Sequence, residues 1–519
     1  MNTTDFFSVA AAICPDRDFM VFEGTRTTYM EAGARINSLA FKLAEMGIEK
    51  GDRVGILSVN CPQYIESYFA AAKTGAIFVP LNFRAKKDEL EYMLTASEAR
   101  YLLVGERYLE SAKEMIPSLP LLEKCISIDT PFENMLFYED LVDAEFEDEY
   151  FSEVEDEDVT ILMFTSGTTG RPKAVPLTHE SFGSYILENV SPADPETEEK
   201  NILTVPLYHV AGVQGMLAGV YGGRTLVLMR QFEVEKWLQL VEEEKANRAM
   251  LVPTMLKQVI DHENFDKYDL SSLEVITYGA AAMPFPVIKK AIEMMPGVSF
   301  INAFGQTETG STITMLGPED HQIDGTEEEK EKKLRRLATS IGKPLPDVEI
   351  QIVDPDDNPL APHQIGEIVA RGPRVMRGYW KDEAKTKVAF TRDGWLKTSD
   401  QGWMDEEGYI YRTGRADDVI IRGGENISPK EVEEALITHP KIAEVAVIGV
   451  PDEEWGQQPY AVIVLKEGES ATEEEIIDFT RDKLASFKCP RKVVFKDELP
   501  RTAIGKLQRK KLVEQYSVS

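Results

Sequence analysis

"DRVGILSVNCPQYIESYFAAAKTGAIFVPL", residues 52 to 81, decides the fold class. An apolar run of strand length, "DRVGILSV", is followed by the helical segment "PQYIESYFAAAKTG" and a second apolar run, "AIFVPL". Continuous apolar runs around an amphipathic segment belong to strands buried on both faces, so the stretch predicts a βαβ unit. The alternation continues outward through "RYLLVG", "KCISID", "VTILMFT", "NILTVP", "TLVLM", "RAMLVP", "LEVITYG" and "SFINAFG". The large region is therefore α/β with mostly parallel sheets. After about residue 340 the texture turns antiparallel, in "VEIQIVDPDDNP", "GEIVARG" and "GWLKTSDQGWMDEEGYIYRTG", and marks a β-rich piece. From "ADDVIIRGGENIS" onward helices and strands alternate as in a separate α+β domain of about 100 residues. The expected division is 1–415, a large N-terminal domain of several subdomains, and 416–519, a small C-terminal domain. "GTEEEKEKKLRR", residues 325 to 336, predicts an exposed helix or an insertion.

Composition excludes several function classes. The 519 residues imply about three or four folding units, and 43% hydrophobic residues supply their cores. A net charge of -32 argues against a nucleic-acid or anionic-membrane surface, so any polyanionic ligand must meet a local group of cations. Cys14, Cys61, Cys125 and Cys489 form neither a CxxC pair nor a zinc-type cluster. The N-terminus lacks a positively charged leader pattern, and no run reaches about 18 apolar residues. The expectation is a cytoplasmic protein without stable membrane insertion; monomer and homodimer both stay open.

The stretch "FTSGTTGRPKAVPLTH", residues 164 to 179, has the makings of a phosphate loop, although it does not fit GxxxxGK[ST]. Gly167 and Gly170 permit a tight turn, the hydroxyls of Thr165, Ser166, Thr168 and Thr169 can donate to phosphate oxygens, and Lys173 with Arg171 adds charge. Read alone, the loop could equally be a polar turn between a strand and a helix.

Seven segments in order decide between these. "TSGTTGRPKAV", "PLYHVAG", "YGAAAMP", "AFGQTE", "GWLKTSD", "YRTGRADDVIIRGGENISPKEVE" and "PRTAIGKLQRKKL" together resemble the adenylate-forming (ANL) superfamily, which holds acyl-CoA synthetases, peptide-synthetase adenylation domains and luciferases. The resemblance spans nearly the whole chain. It implies a mobile C-terminal domain and two half-reactions, in which a carboxylate displaces pyrophosphate from ATP and a thiol then displaces AMP. ATP, Mg²⁺ and coenzyme A are the implied cofactors, and a small-molecule carboxylic acid is the implied substrate. Two alternatives stay open: delivery of the acyl group to a carrier protein, and a nucleotide-binding homologue without turnover.

The resemblance assigns roles residue by residue. Thr165, Ser166, Gly167, Thr168, Thr169, Gly170 and Lys173 would hold the β- and γ-phosphates. Glu308 matches the magnesium-binding glutamate, with Thr307 beside the α-phosphate, although a lone Glu is ordinarily surface charge. Phe304 and Ala281 would border adenine or else be core residues. Asp400 and Arg415 match the nucleotide's acidic and basic partners, with a structural ion pair as the alternative. Asp417 matches the hinge, Gly423 and Gly424 the loop beside the pantetheine tunnel. Trp455, Lys488 and Arg491, with Lys492, resemble contacts to the CoA nucleotide, while Cys489 stands where relatives place a basic residue. Tyr208, His209, Val210, Gly212, Val213, Tyr278, Gly279 and Ala303 would border the acyl pocket.

Lys506 matches the lysine that bridges carboxylate and phosphate as a point charge during adenylation. Lys506→Ala is expected to slow acyl-AMP formation by about a hundredfold, equivalent to about 2.7 kcal/mol of barrier, and to spare thioester formation from supplied acyl-AMP. Timing the two half-reactions separately checks this; equal damage to both would remove the assignment.

Overall fold

The computed structural model describes residues 1–151, 153–165, 171–415, 418, 420–422, 425–452, 455–484, 486, 488–502, 505 and 507–517. The chain divides into two compact units: Met1–Lys333 with Pro344–Glu349 and Ala370–Leu396, and Leu334–Lys343 with Ile350–Val369 and Lys397–Ser519.

In the first unit the opening stretch folds as its pattern predicts. The strand Arg53–Leu57, the helix Pro62–Lys73 and the strand Ile77–Pro80 form a βαβ unit, with Val54 opposite Phe78 in parallel register. Pro62 opens the helix, where its missing N–H costs nothing, and Gly75, at φ +73°, turns the chain after its end. The strands belong to a seven-stranded sheet ordered Leu136–Phe137, Lys124–Ser127, Tyr101–Val104, Arg53–Leu57, Ile77–Pro80, Val159–Thr165 and Lys173–Thr178. A second series runs Ser311–Leu316, Ser299–Gln306, Val275–Gly279, Arg248–Leu251, Lys200–Leu203, Thr225–Leu228, Asp18–Phe22 and Thr25–Thr28. Its pairs are parallel except at the two ends.

The largest core cluster gathers Phe6, Phe7, Phe19, Tyr29 and Phe69, with the Phe7 ring 5.2 Å from Phe19 and 5.3 Å from Phe69. The helix Thr3–Ile13 that supplies Phe6 and Phe7 is capped by Asn2. It is held by Thr3 Oγ1, which lies 2.8 Å from His179 Nδ1 and 2.9 Å from Tyr68 Oη.

One local expectation is corrected. The loop after Phe164 does not lead from strand to helix: Val159–Thr165 and Lys173–Thr178 pair antiparallel, with Thr165 opposite Lys173. "KAVPLT" forms the edge strand of its sheet, a place where Pro176 is tolerated because an edge leaves one row of N–H groups unpaired. The charged run after residue 325 forms the helix Glu327–Thr339. Its last turn buries Arg336, which pairs with Glu407 at 2.7 Å and lies 3.6 Å from the Tyr409 ring centroid.

The second unit holds the antiparallel pair Leu396–Met404 and Ile410–Arg415, with Trp403 opposite Tyr411. It also holds a sheet ordered Glu425–Ile427, Ile420–Arg422, Gly456–Leu465 and Ile442–Asp452, with Lys492–Phe495 parallel to Gly456–Leu465. The helices Pro429–Leu436 and Glu473–Arg481 contribute Val432, Leu436 and Ile476 to its core. No described helix is long and apolar enough to cross a membrane. The four cysteines are buried, and none is in a disulfide.

His179 and His321 lie inside the first unit, and burial pulls each imidazole down from 6.5 to about 4. A depressed native pKa means that the unfolded chain binds more protons between those values. Stability is thus full above pH 6.5 and falls as pH drops toward 4, by about 1.4 kcal/mol per pH unit for each histidine. His321→Gln keeps a donor and an acceptor but cannot titrate, so its melting temperature is expected to fall less than the wild type's between pH 7 and pH 4.5. Parallel pH profiles for the two proteins would contradict this.

Candidate active site

The described part of the site is organised by residues 372 to 380. Arg374 is fully buried, an expensive place for a guanidinium unless it is partnered. It donates to the Thr312 carbonyl and, at 2.6 Å, to Asp347 Oδ1, and it lies 5.1 Å from the Tyr185 ring centroid. Anchored there, the segment reaches two places at once. Met376 N–H donates to the Glu308 carbonyl at 2.9 Å, and Trp380 N–H donates to the Ala174 carbonyl at 2.9 Å. Between them Tyr379 Oη donates to Glu308 Oε1 at 3.1 Å and accepts from Lys173 Nζ at 3.4 Å, with the ammonium 4.8 Å from the ring centroid. Lys173 and Glu308, 135 positions apart by their numbers, are thus joined through one phenol.

The strand ends beside Glu308 are built on close backbone approach. A Cβ at Gly279 would lie 2.2 Å from the Ala303 carbonyl oxygen, and one at Gly305 would lie 1.7 Å from that of Ser311. Neither position admits a side chain. Ala280 has φ +64°, a left-handed conformation that non-glycine residues rarely adopt and that clusters at functional sites. Ala281, Phe304 and Thr307 are half-buried around this rim. The short turn Thr307–Thr309 is closed by Thr309 Oγ1, which accepts from Gln306 N–H at 3.0 Å.

The segment "PLYHVAG", expected beside the acyl pocket, is held by its own set of contacts. Asn60 fixes it, donating to the Val205 carbonyl at 3.2 Å and accepting from Leu207 N–H at 2.9 Å. His209 then starts the helix Val210–Tyr221, which buries Val213, and a Cβ at Gly212 would lie 2.5 Å from the Pro206 carbonyl oxygen. The Tyr208 ring meets Phe83 edge-on at 5.1 Å. Tyr208 Oη and His209 Nε2 are buried and have no hydrogen-bond partner among the described residues. Burial pulls the His209 imidazole down to about 3, so it is neutral at physiological pH. Buried unpaired polar atoms are uncommon and call for an explanation, of which a bound ligand is one.

Tyr278 departs from the expected role. Its side chain is fully buried and its hydroxyl lies 2.9 Å from His321 Nε2, while His321 Nδ1 lies 2.7 Å from the Gly317 carbonyl. A carbonyl only accepts, so His321 carries its proton on Nδ1 and accepts a hydrogen bond from the Tyr278 hydroxyl on Nε2. The Tyr278 ring is packing, and only its strand's backbone is left for the rim.

In the second unit Asp400 and Arg415 are cross-strand neighbours, but the Asp400 carboxylate accepts from Arg412 Nε at 2.5 Å. Arg412 is not evident from the sequence because a register shift between Gln401 and Gly402 separates it from simple alternation. Trp455, 41% exposed, stacks on Arg422, whose guanidinium lies 4.9 Å from the ring centroid; no motif singles out Arg422 either. Lys488 is bound to both Glu431 oxygens, at 2.6 and 2.8 Å, and Arg491 is exposed. Ser166, Gly167, Thr168, Thr169, Gly170, Asp417, Gly423, Gly424 and Lys506 lie outside the described residues, as does the Arg415 side chain. Among the described residues no three His, Cys, Asp or Glu side chains form a metal cluster. Magnesium, which commonly takes one or two carboxylates and completes its shell with phosphates and water, is compatible with Glu308 alone.

The family model of AMP-binding enzymes matches residues 7–380, and that of the AMP-binding enzyme C-terminal domain matches residues 431–506. The chain is 31% identical to an indoleacetate–CoA ligase of Aromatoleum aromaticum, over 98% of this chain and 97% of that one. It is 33% identical to a long-chain-fatty-acid–CoA ligase of Bacillus subtilis, over 98% and 93%. The solved structure of the amide bond synthetase McbA from Marinactinospora thermotolerans superposes with a TM-score of 0.88 at 27% identity, covering 99% of each chain.

Arg374→Met keeps much of the buried volume but leaves Asp347 charged beside it without its partner. A loss of about 3 to 5 kcal/mol in denaturant unfolding of the first unit is expected, with partial recovery when Asp347→Asn is added. Equal stabilities for the two variants would show that the pair is not coupled.

Proposed function

The chain belongs to the AMP-binding enzyme family and is an acyl-CoA synthetase, an ATP-dependent acid–CoA ligase, and we propose that its acid is a medium-sized monocarboxylic acid with an apolar ring or chain. The carrying observation is the segment Tyr208, His209 and Val213, buried and largely apolar, in which burial keeps the His209 imidazole neutral. An amino acid would bring a buried ammonium, and a second carboxylate would bring a buried anion, each costing several kcal/mol without an ionic partner. A neutral imidazole supplies neither counter-ion. A benzoate, a cyclohexane carboxylate or a medium-chain fatty acid brings only apolar surface. With Tyr278 committed to His321, a preference for rings rests on Tyr208 and Phe83 alone. The relatives named for indoleacetate and for long-chain fatty acids support both shapes.

In this reading the residues divide the work of adenylation. Lys173, with Thr165 and the loop 166–170, holds the outer phosphates, and Thr307 stands at the α-phosphate. Glu308 would hold magnesium against the nucleotide. When bound, that ion neutralises phosphate charge and orients pyrophosphate as it leaves. Phe304 and Ala281 border adenine, and Asp400 with Arg415 serves the ribose and phosphate. Trp455 with Arg422 beneath it offers a flat face and a cation to the CoA nucleotide. The hinge at Asp417, between domains 1–415 and 416–519, is part of the same proposal; the gap between the two family-model matches, from 380 to 431, supports it.

The test is kcat/KM for benzoate, cyclohexane carboxylate, hexanoate, octanoate, acetate and phenylalanine, read as AMP and acyl-CoA formed. At least one of the first four is expected to exceed acetate and phenylalanine by about tenfold or more, about 1.4 kcal/mol in the barrier. A preference for acetate or phenylalanine would overturn the pocket reading.

A further inference from the structure

We propose that Tyr379 is a positioning residue for adenylation: its hydroxyl sets the Glu308 carboxylate for the metal–nucleotide complex and holds the Lys173 ammonium apart from it. The proposal rests on the functional reading above and adds to it a residue that the phosphate-loop and glutamate segments do not contain.

The geometry fixes this phenol more tightly than packing requires. Its backbone is pinned on both sides, by Met376 N–H on the Glu308 carbonyl and by Trp380 N–H on the Ala174 carbonyl, each at 2.9 Å. Its own N–H donates to Thr386 Oγ1 at 2.9 Å. That contact needs a glycine before it, since a Cβ at Gly378, which has φ +152°, would lie 2.7 Å from Thr386 Cγ2. The side chain is half-buried and borders a cleft of about 40 Å³ shared with Tyr92, Lys173, Trp380 and Lys385. A tyrosine needed only for packing has no requirement for both hydrogen-bonding capacities of its oxygen. Here the oxygen donates to a carboxylate and accepts from an ammonium.

The chemistry explains the need. A lysine and a glutamate held on one half-buried phenol attract each other, and a direct pair would turn both away from ligand. A neutral phenol between them satisfies one carboxylate oxygen and one ammonium proton. The other Glu308 oxygen is then left to serve a cation, and the remaining Lys173 protons to serve phosphate. A phenylalanine in its place removes the bridge while keeping the ring under Lys173.

The experiment uses the full chain and Mn²⁺ as the probe, observed by electron paramagnetic resonance in the presence of saturating α,β-methylene-ATP. Tyr379→Phe is expected to weaken Mn²⁺ binding about tenfold while metal-free nucleotide affinity stays within about twofold. Adding Tyr379→Phe to Glu308→Gln should weaken Mn²⁺ little further, because the phenol acts through that carboxylate. Thr386→Val, which loosens the Tyr379 backbone without touching Glu308 or Lys173, should give the same split at smaller size. Unchanged Mn²⁺ affinity in both Tyr379→Phe and Thr386→Val would overturn the proposal. Equal loss of metal-free and metal-bound nucleotide would overturn it too, as the mark of a merely structural role. If the wild type forms no acyl-adenylate with any acid, the functional reading fails, whatever the Mn²⁺ titration gives.

Discussion

A buried guanidinium is the constraint on which the described site depends. Arg374 has no exposed surface, and its carbonyl and carboxylate partners, Thr312 and Asp347, lie far from it in sequence. Satisfying it brings three stretches of chain to one point. Once they meet there, Met376 and Trp380 can each donate a backbone hydrogen bond outward, one to Glu308 and one to Ala174. The seven-stranded sheet that carries Lys173 and the strand end that carries Glu308 are thereby tied to one short segment. Burying an ion pair is not itself a source of stability, since desolvation offsets most of the Coulombic gain. What the pair gives this unit is position: a misplaced Arg374 would leave an unpaired charge inside, so alternative placements of the segment are costly.

Beyond that anchor the rim is shaped by what cannot be there. Side chains are excluded at Gly279 and Gly305 because carbonyl oxygens of the neighbouring strand occupy the space. Ala280 and Ser311 adopt left-handed backbone, and Gly310 turns the chain between Glu308 and Thr312. Parallel strands end here, and substrates of open α/β sheets are handled at such ends because the backbone has left its ladder and its polar groups are available. Two residues before Ala280, the Tyr278 hydroxyl is held by His321.

Periodicity reveals most of the architecture, since strands buried on both faces announce themselves by unbroken apolar runs. The βαβ unit of residues 52 to 81 and the antiparallel run around Trp403 and Tyr411 are legible from pattern alone. Direction and partnership are not. Tyr278 and Tyr208 look equivalent in sequence, yet one is committed to His321 and the other has a hydroxyl without a partner among the described residues, because partnering depends on elements distant in the chain. The hairpin after Phe164 is hidden because a glycine-rich loop fits a turn into a strand as well as a turn into a helix, and Pro176 argues against a strand that happens to lie at an edge. Arg374 and Tyr379 sit in "PRVMRGYW", where a charged residue and an aromatic read as an ordinary turn; their weight comes entirely from tertiary contacts.

The charge of the chain then takes on a specific meaning. With a net charge of -32, a ligand carrying several phosphates is repelled by the molecule as a whole, and attraction has to be local. Yet four of the described cations in the candidate sites already have partners within the chain. Lys173 lies on Tyr379, Lys488 on Glu431, Arg412 on Asp400, and Arg422 against Trp455. At these four, binding a phosphate would be an exchange of partners rather than capture by bare charge. An exchange discriminates more sharply, because a ligand that cannot replace the lost hydrogen bonds leaves a desolvated ion behind. It also holds each cation in a defined orientation when the site is empty, which lowers the ordering cost when phosphate takes the place of carboxylate or phenol.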